Sequence, residues 1–142
     1  MKVVLDTNTL ASGAVSATGT LSTTVDAWRS GQFKVIVSVP IVEELERTLQ
    51  KPYFHRSLTD TQSSRFLKLL RQRATVSPIT ASVRGIALRP EDDVILATAA
   101  SAKVGYLVTG DRKLQQVGTY QGVSILSPRR FLETLKHDVS EG

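Results

Sequence analysis

The sequence contains no cysteine, and its apolar runs are short. Without cysteine the chain has no disulfides, no thiolate zinc site and no thiol nucleophile. No apolar run approaches the roughly 20 residues that a membrane-spanning helix needs, so we expect no membrane association. The opening segment, MKVVLDTN, reaches Asp6 after a very short apolar run and lacks the apolar stretch of a secretory signal. These absences together predict a cytoplasmic protein.

The length and charge of the chain restrict its class further. A chain of 142 residues without repeats or a linker is expected to form one domain over residues 1–142. Its 18 Lys and Arg residues against 13 Asp and Glu residues give a net charge of +5. Such a balance favours an anionic partner such as nucleic acid. Acids that directly follow apolar runs in a basic chain are therefore candidates for a specific role.

Short apolar runs alternate with helical patterns along the whole chain. Strands are predicted at Val3–Leu5, Phe33–Val37, Ala74–Val76, Tyr106–Val108 and Val123–Leu126. Apolar residues at helical spacing lie between these runs, and a last helix is expected after Pro128. The alternation predicts a Rossmann-like, three-layer α/β/α fold around a central, mainly parallel five-stranded sheet. In such sheets ligands bind beyond the carboxyl ends of the strands.

Two of the candidate acids directly follow predicted strands. Asp6 comes after the first strand, and Asp111 comes after the fourth across a Thr109-Gly110 turn. In a doubly wound sheet these two strands lie side by side at the centre, so the two carboxylates are expected to meet. The alternative for Asp6 is that it only caps a helix or satisfies the amides of a loop. For Asp111, a Thr-Gly-Asp turn is by itself a weak motif.

A third acid is expected on the helix after the second strand, where Glu43, Glu44 and Glu46 compete. The stripe of Ile41 and Leu45 places Glu43 opposite the core, while Glu44 and Glu46 both flank it. Periodicity alone does not choose between those two, but Glu44 is nearer the helix start and hence nearer the strand ends. The alternative is that all three glutamates form a solvated face.

The fourth acid belongs to Pro90-Glu91-Asp92-Asp93, which also has the composition of an ordinary helix start. We expect packing of the following apolar segment to direct Asp93 towards the strand ends. Asp92 is the alternative at this position.

In combination these segments resemble the PIN-domain family, the fold of many VapC-type toxins, in the variant that opens L-D-T-N. The resemblance covers nearly the whole chain. It rests on Leu5-Asp6-Thr7-Asn8, Ser38-Val-Pro-Ile-Val-Glu43-Glu44-Leu45, Asp92-Asp93-Val-Ile-Leu-Ala-Thr-Ala and Val108-Thr109-Gly110-Asp111. Each segment is common alone, whereas their order and spacing are specific. The family's position just before the leucine also selects Glu44 among the three glutamates.

The resemblance implies a metal-dependent endoribonuclease, the toxin of a toxin-antitoxin pair, that leaves 5′-phosphate and 3′-hydroxyl ends. It implies a homodimer and a cognate antitoxin as partners. Mg²⁺ or Mn²⁺ is the expected ion, because the donors are oxygen atoms and the site lacks cysteine and clustered histidine. The implied catalytic and metal-binding residues are Asp6, Glu44, Asp93 and Asp111, with Asn8, Thr109 and Asp92 in support. Basic residues near the later acids are expected to contact RNA phosphates: Arg89, Arg112 and Lys113.

Three other readings compete with the nuclease. A haloacid-dehalogenase-like phosphatase also begins with a strand that ends in Asp, but Asn8 stands where its second acid is needed. A receiver domain needs paired acids after the first strand and a lysine after the last, and neither is present. A catalytically silent RNA- or protein-binding module would keep the fold, but it would be free to lose the four acids.

Overall fold

The computed structural model describes residues 1–16, 18–86 and 90–141. Strands and helices alternate along these ranges. The strands are β1 (Lys2–Leu5), β2 (Lys34–Val37), β3 (Thr75–Val76), β4 (Tyr106–Val108), β5 (Thr119–Tyr120) and β6 (Val123–Leu126). The helices are α1 (Thr7–Val15), α2 (Thr20–Arg29), α3 (Val39–Leu49), α4 (Pro52–His55), α5 (Asp60–Arg73), α6 (Pro90–Ala102), α7 (Arg112–Gln115) and α8 (Pro128–Glu141).

The strands form one mainly parallel sheet in the order β3-β2-β1-β4-β6-β5. β1 pairs in parallel with β2 on one side and with β4 on the other, and only the β5–β6 pair is antiparallel. Leu5 at the end of β1 lies opposite Val108 at the end of β4. The predicted three-layer α/β/α architecture is therefore confirmed, and the predicted neighbours β1 and β4 lie side by side at its centre.

The composition of β1 explains its central place. Val3, Val4 and Leu5 have no exposed surface, so both faces of this strand are covered. Strands that are buried on both faces read as continuous apolar runs instead of alternating ones. The chain turns polar at Asp6, which is the first residue to project beyond the covered part of the sheet.

All five predicted strands are confirmed, and the structure adds β5, which pairs with β6 through Thr119↔Ser124 and Tyr120↔Val123. A strand of two residues is too short to show an alternating pattern. The sequence analysis also did not predict α1, α4 and α7. The last two are single turns, and α1 is buried on several sides, so its polarity does not alternate with the helical period.

Several aromatic side chains belong to the core. Phe33 and Phe131 meet edge to face with ring centroids 5.0 Å apart. Trp28 and Phe66 are each only 4% exposed and also pack in the core. In the ranges that the structure describes, no helix combines the length and the apolar character needed to cross a bilayer.

A close helix contact forms where Gly13 of α1 faces Val25 of α2. A Cβ atom added to Gly13 would lie 2.3 Å from Cγ2 of Val25 and 3.2 Å from the carbonyl oxygen of Leu21. The glycine therefore allows α1 and α2 to approach closely. Because Asp6 is the N-cap of α1, this contact also helps to position the first acid.

We predict that Gly13→Ala lowers the free energy of unfolding, although alanine is the better helix former by about 1 kcal/mol. Overpacking costs about 1–3 kcal/mol, and the β-branched Val25 has few rotamers in which to escape. Urea denaturation followed by circular dichroism measures the change. Val25→Ala in the Gly13→Ala background should recover part of the loss, and a Gly13→Ala protein as stable as wild type would contradict this packing.

Candidate active site

A cavity of about 570 Å³ lies at the carboxyl edge of the sheet. Its walls come from the N-terminal half of α1, the inner face of α3, the first turns of α6 and the turn after β4. Five acids line it, together with two basic residues and a set of small polar and apolar residues. The acids are Asp6, Glu44, Glu91, Asp92 and Asp111, and the basic residues are Arg47 and Lys51.

Asp6 lies at the centre of this edge and is only 6% exposed. Its Oδ1 accepts a hydrogen bond from the backbone N–H of Thr9 at 2.8 Å, so Asp6 is the N-cap of α1. Its Oδ2 accepts a 2.5 Å hydrogen bond from the hydroxyl of Thr109. Asp6 is thus a helix cap, as the alternative reading held, and it also lines the cavity.

Burial raises the pKa of Asp6 above its ordinary value of 3.8, because the ionised carboxylate loses the solvation that water provides. The negative charge of Asp111 adds to this effect. The hydrogen bonds from Thr109 and Thr9 oppose it, since they stabilise the ionised form. The two carboxylates of Asp6 and Asp111 are far apart in the sequence but near enough in the fold to repel each other.

Thr109 connects the two acids. Its hydroxyl donates to Asp6 and accepts a 3.0 Å hydrogen bond from the backbone N–H of Asp111. Asp111 in turn caps α7, where its Oδ1 accepts from the N–H of Lys113 at 2.8 Å. Gln115 closes the turn by donating from Nε2 to the carbonyl oxygen of Thr109 at 2.7 Å. Thr109 has no exposed surface, so its hydroxyl is held in this orientation.

Glu44 lines the cavity as predicted, and it is half-buried. One of its oxygens, Oε2, accepts hydrogen bonds from Nη2 of Arg47 at 2.8 Å and from Nε of Arg47 at 3.2 Å. Glu46, which also flanks the apolar stripe, instead forms an ion pair with Arg71 of α5. Periodicity did not choose between Glu44 and Glu46, whereas the structure distinguishes them by their ion-pair partners. Glu44 is the one that lines the cavity.

The structure places Asp92, and not Asp93, on the cavity. Asp92 is only 6% exposed, whereas Asp93 is half-buried and its Oδ2 accepts a hydrogen bond from the N–H of Gly85 at 2.9 Å. The expectation that packing directs Asp93 towards the strand ends is thus not met. The helix period explains this, since Asp92 lies three positions before the buried Ile95 and shares its face.

The remaining candidates are distributed differently. Asn8 lines the cavity, where its side chain is exposed. Arg112 and Lys113 are exposed at the start of α7 and are not among the described residues that line the cavity. Arg89 lies outside the described residues, so its predicted RNA contact stays a prediction.

The sequence analysis did not single out Arg47 and Lys51. Arg47 follows Glu44 at the i+3 spacing that places two residues on one side of a helix, so the sequence carried a signal for it once Glu44 is assigned to the cavity. Lys51 lies beyond the last residue of α3, as the N-cap of α4, so its place on the cavity depends on the turn between the two helices.

The donor set fits a hard divalent cation in its chemistry, because carboxylate, hydroxyl and amide oxygens line the cavity. The buried Asp6 also lies within electrostatic reach of Asp111, and an ion would relieve this repulsion. In the part of the chain that the structure describes, however, no three acids stand close enough together to enclose an ion. The carboxylate of Glu44 is engaged by its ion pair with Arg47.

We predict that Asp6→Asn raises the melting temperature at neutral pH in buffer with a chelator. Asn keeps an acceptor for the N–H of Thr9 and removes the charge that burial disfavours. The pKa of Asp6 is raised above 3.8 in the folded protein, so at pH values between 3.8 and the raised pKa the folded protein binds more protons than the unfolded chain. The stability of the wild type therefore falls as the pH rises through that window. The difference between the proteins should therefore be largest above the raised pKa.

Melting curves of both proteins over a pH series provide the measurement. The gain of Asp6→Asn should shrink as the pH falls towards 3.8. A gain that is the same at every pH would mean that the charge of Asp6 is not its cause.

Several solved structures share this fold. VapBC2 from Rickettsia felis, bound to a DNA fragment from its promoter, is 15% identical and has a TM-score of 0.63, with 89% of this chain and 98% of that chain covered. PAE2754 from Pyrobaculum aerophilum is 19% identical with a TM-score of 0.64, over 96% and 90% of the two chains. VapC20 from Mycobacterium tuberculosis, a toxin that cleaves the sarcin-ricin loop, is 14% identical with a TM-score of 0.60, over 84% and 97%.

At such low identity these structures establish the fold alone. No curated protein sequence matches the chain. The family model described as PIN domain matches residues 2–113, which include β1 to β4 and every acid on the cavity. The chain therefore belongs to the PIN domain family.

Proposed function

We propose that the protein is an endoribonuclease that hydrolyses RNA phosphodiester bonds with the help of Mg²⁺ or Mn²⁺. The observation that carries this proposal is the convergence of Asp6, Glu44, Asp92 and Asp111 on one cavity at the carboxyl edge of the sheet. In this proposal Asp92 takes the role that the sequence analysis gave to Asp93. Membership of the PIN domain family supports nuclease chemistry.

The side chains have distinct roles in this proposal. Asp6 and Asp111 hold the ion from adjacent strands, and Thr109 keeps both in place through its single hydroxyl. Asp92 and Glu44 complete the set of ligands from α6 and α3. The chemistry that a divalent ion supplies here is a more acidic water molecule and stabilisation of charge on the leaving oxygen. Asn8, exposed at the rim, is available to orient the substrate or a water molecule.

A role as the toxin of a toxin-antitoxin pair is part of the proposal. It is supported by the fold shared with VapBC2 from Rickettsia felis and with the VapC20 toxin. By this analogy the partners are a cognate antitoxin and a second copy of the chain, and the compartment is the cytoplasm. That residues 1–142 act as one domain is a further part of the proposal.

The competing functions fit less well. The phosphatase reading required a different family, and the match over residues 2–113 is to the PIN domain. A silent binding module could cap α1 with an uncharged residue, whereas Asp6 is a nearly buried acid whose ionisation burial disfavours. Because burial of an unsolvated charge is costly, its retention on a cavity favours a reaction over binding alone.

We predict that Asp92→Asn and Asp111→Asn abolish the cleavage of RNA, whereas Asp93→Asn retains most of it. Asn at position 93 still offers an oxygen to the N–H of Gly85, while Asn at the other two positions removes a charged ligand. Cleavage is measured on 5′-labelled RNAs of defined sequence in Mn²⁺, with a chelator control.

The neighbouring pair Asp92 and Asp93 provides a matched control, because both variants make the same chemical change on the same helical turn. Circular dichroism should show that all three variants are folded. Loss of cleavage in Asp93→Asn with full cleavage in Asp92→Asn would reverse the assignment. Binding of Mn²⁺ by wild type without cleavage of any RNA would favour the silent module.

A further inference from the structure

The two basic residues on the cavity have no role in the chemistry described so far. Arg47 and Lys51 lie with Glu44 on the wall that α3 and the start of α4 provide, and the other four acids line the rest of the cavity. An RNA strand that enters this cavity meets a concentration of negative charge. Some cation on the wall is therefore needed to bind the phosphates.

Arg47 has the geometry for this contact. Two of its N–H groups, on Nε and Nη2, converge on a single oxygen of Glu44 at 3.2 and 2.8 Å. The same planar fork of donors is the one that arginine presents to a phosphate. In this structure Glu44 thus occupies the donors of Arg47 that an RNA phosphate would use.

The ion pair is weak enough to exchange. The side chain of Arg47 is 64% exposed and that of Glu44 is 33% exposed. Exposed pairs at this spacing contribute little to stability, because water screens them and two long side chains must be ordered. Neither partner is therefore held by the pair when a stronger ligand is present.

We propose that Arg47 exchanges Glu44 for an RNA phosphate and that Lys51, at the start of α4, contacts the next part of the backbone. This inference rests on the proposed function and adds its substrate-binding residues. Glu44 becomes available as a ligand when Arg47 moves to the substrate. Binding of RNA and release of Glu44 are then coupled through one side chain.

The chain offers two matched controls. Arg71 also pairs with a glutamate of α3, Glu46, but it does not line the cavity among the described residues. Lys136 is exposed on α8, away from the cavity walls. Replacing Arg71 or Lys136 by Ala removes one positive charge, as each test variant does. Any effect of net charge alone on RNA affinity should therefore be the same in test and control variants.

The first measurement is fluorescence anisotropy of a labelled single-stranded RNA with a chelator present, so that no cleavage occurs. Arg47→Ala should weaken binding roughly tenfold, as expected for the loss of a charged hydrogen-bonded contact. Both Arg47→Ala and Lys51→Ala should also reduce the slope of log affinity against log salt concentration by about 0.7 per lost phosphate contact. Arg71→Ala and Lys136→Ala should leave both the affinity and this slope close to the wild-type values.

The exchange itself is tested by a double-mutant cycle. Glu44→Gln should tighten RNA binding in chelator, because it releases Arg47, and this gain should vanish when Arg47→Ala is added.

The second measurement is calorimetry with Mn²⁺ and no RNA. Arg47→Ala should bind the ion more tightly than wild type, because Glu44 has lost its competing cation.

Two results separate the failure of this inference from the failure of the proposed function. If wild type binds and cleaves RNA but Arg47→Ala behaves as Arg71→Ala does, the exchange is wrong and the nuclease stands. If wild type neither binds nor cleaves RNA, both proposals are overturned. If the effects of Glu44→Gln and Arg47→Ala on RNA affinity simply add, the two residues are not coupled, and this result would also overturn the exchange.

Discussion

The parallel pairing of β1 with β4 is the constraint on which the site depends. It places Leu5 opposite Val108, so both strands end at the same level and the residues after them, Asp6 and Thr109, face each other. The N–H of Asp6 continues the ladder by donating to the carbonyl oxygen of Val108 at 3.1 Å. A shift of one residue would reverse the direction of every side chain on the strand. The site is therefore an outcome of the register of the sheet.

Most of the fold could be predicted, because apolar runs of three to five residues between helical patterns are enough to indicate a doubly wound sheet. β5 was missed for a physical reason, since its two residues pair only because the turn at Gln121 and Gly122 returns the chain. Both of those residues have positive φ, at 47° and 83°. Such a turn leaves little trace in hydrophobic periodicity.

The site was predictable to the extent that chain position determines where a side chain lies. Asp6 and Asp111 directly follow strands, so sheet topology alone brings them together. Asp92 and Asp93 are neighbours on one helix, and their separation depends on how α6 rotates against the sheet, which adjacent acids do not reveal. Arg47 was not singled out from the sequence, although it shares a side of α3 with Glu44.

The N-termini of three longer helices, α1, α3 and α6, open towards the acids. The aligned peptide dipoles of a helix are equivalent to roughly half a positive charge at that end. The backbone thus supplies a diffuse positive potential beneath the carboxylates. The folded chain itself therefore offsets part of the repulsion among its acids.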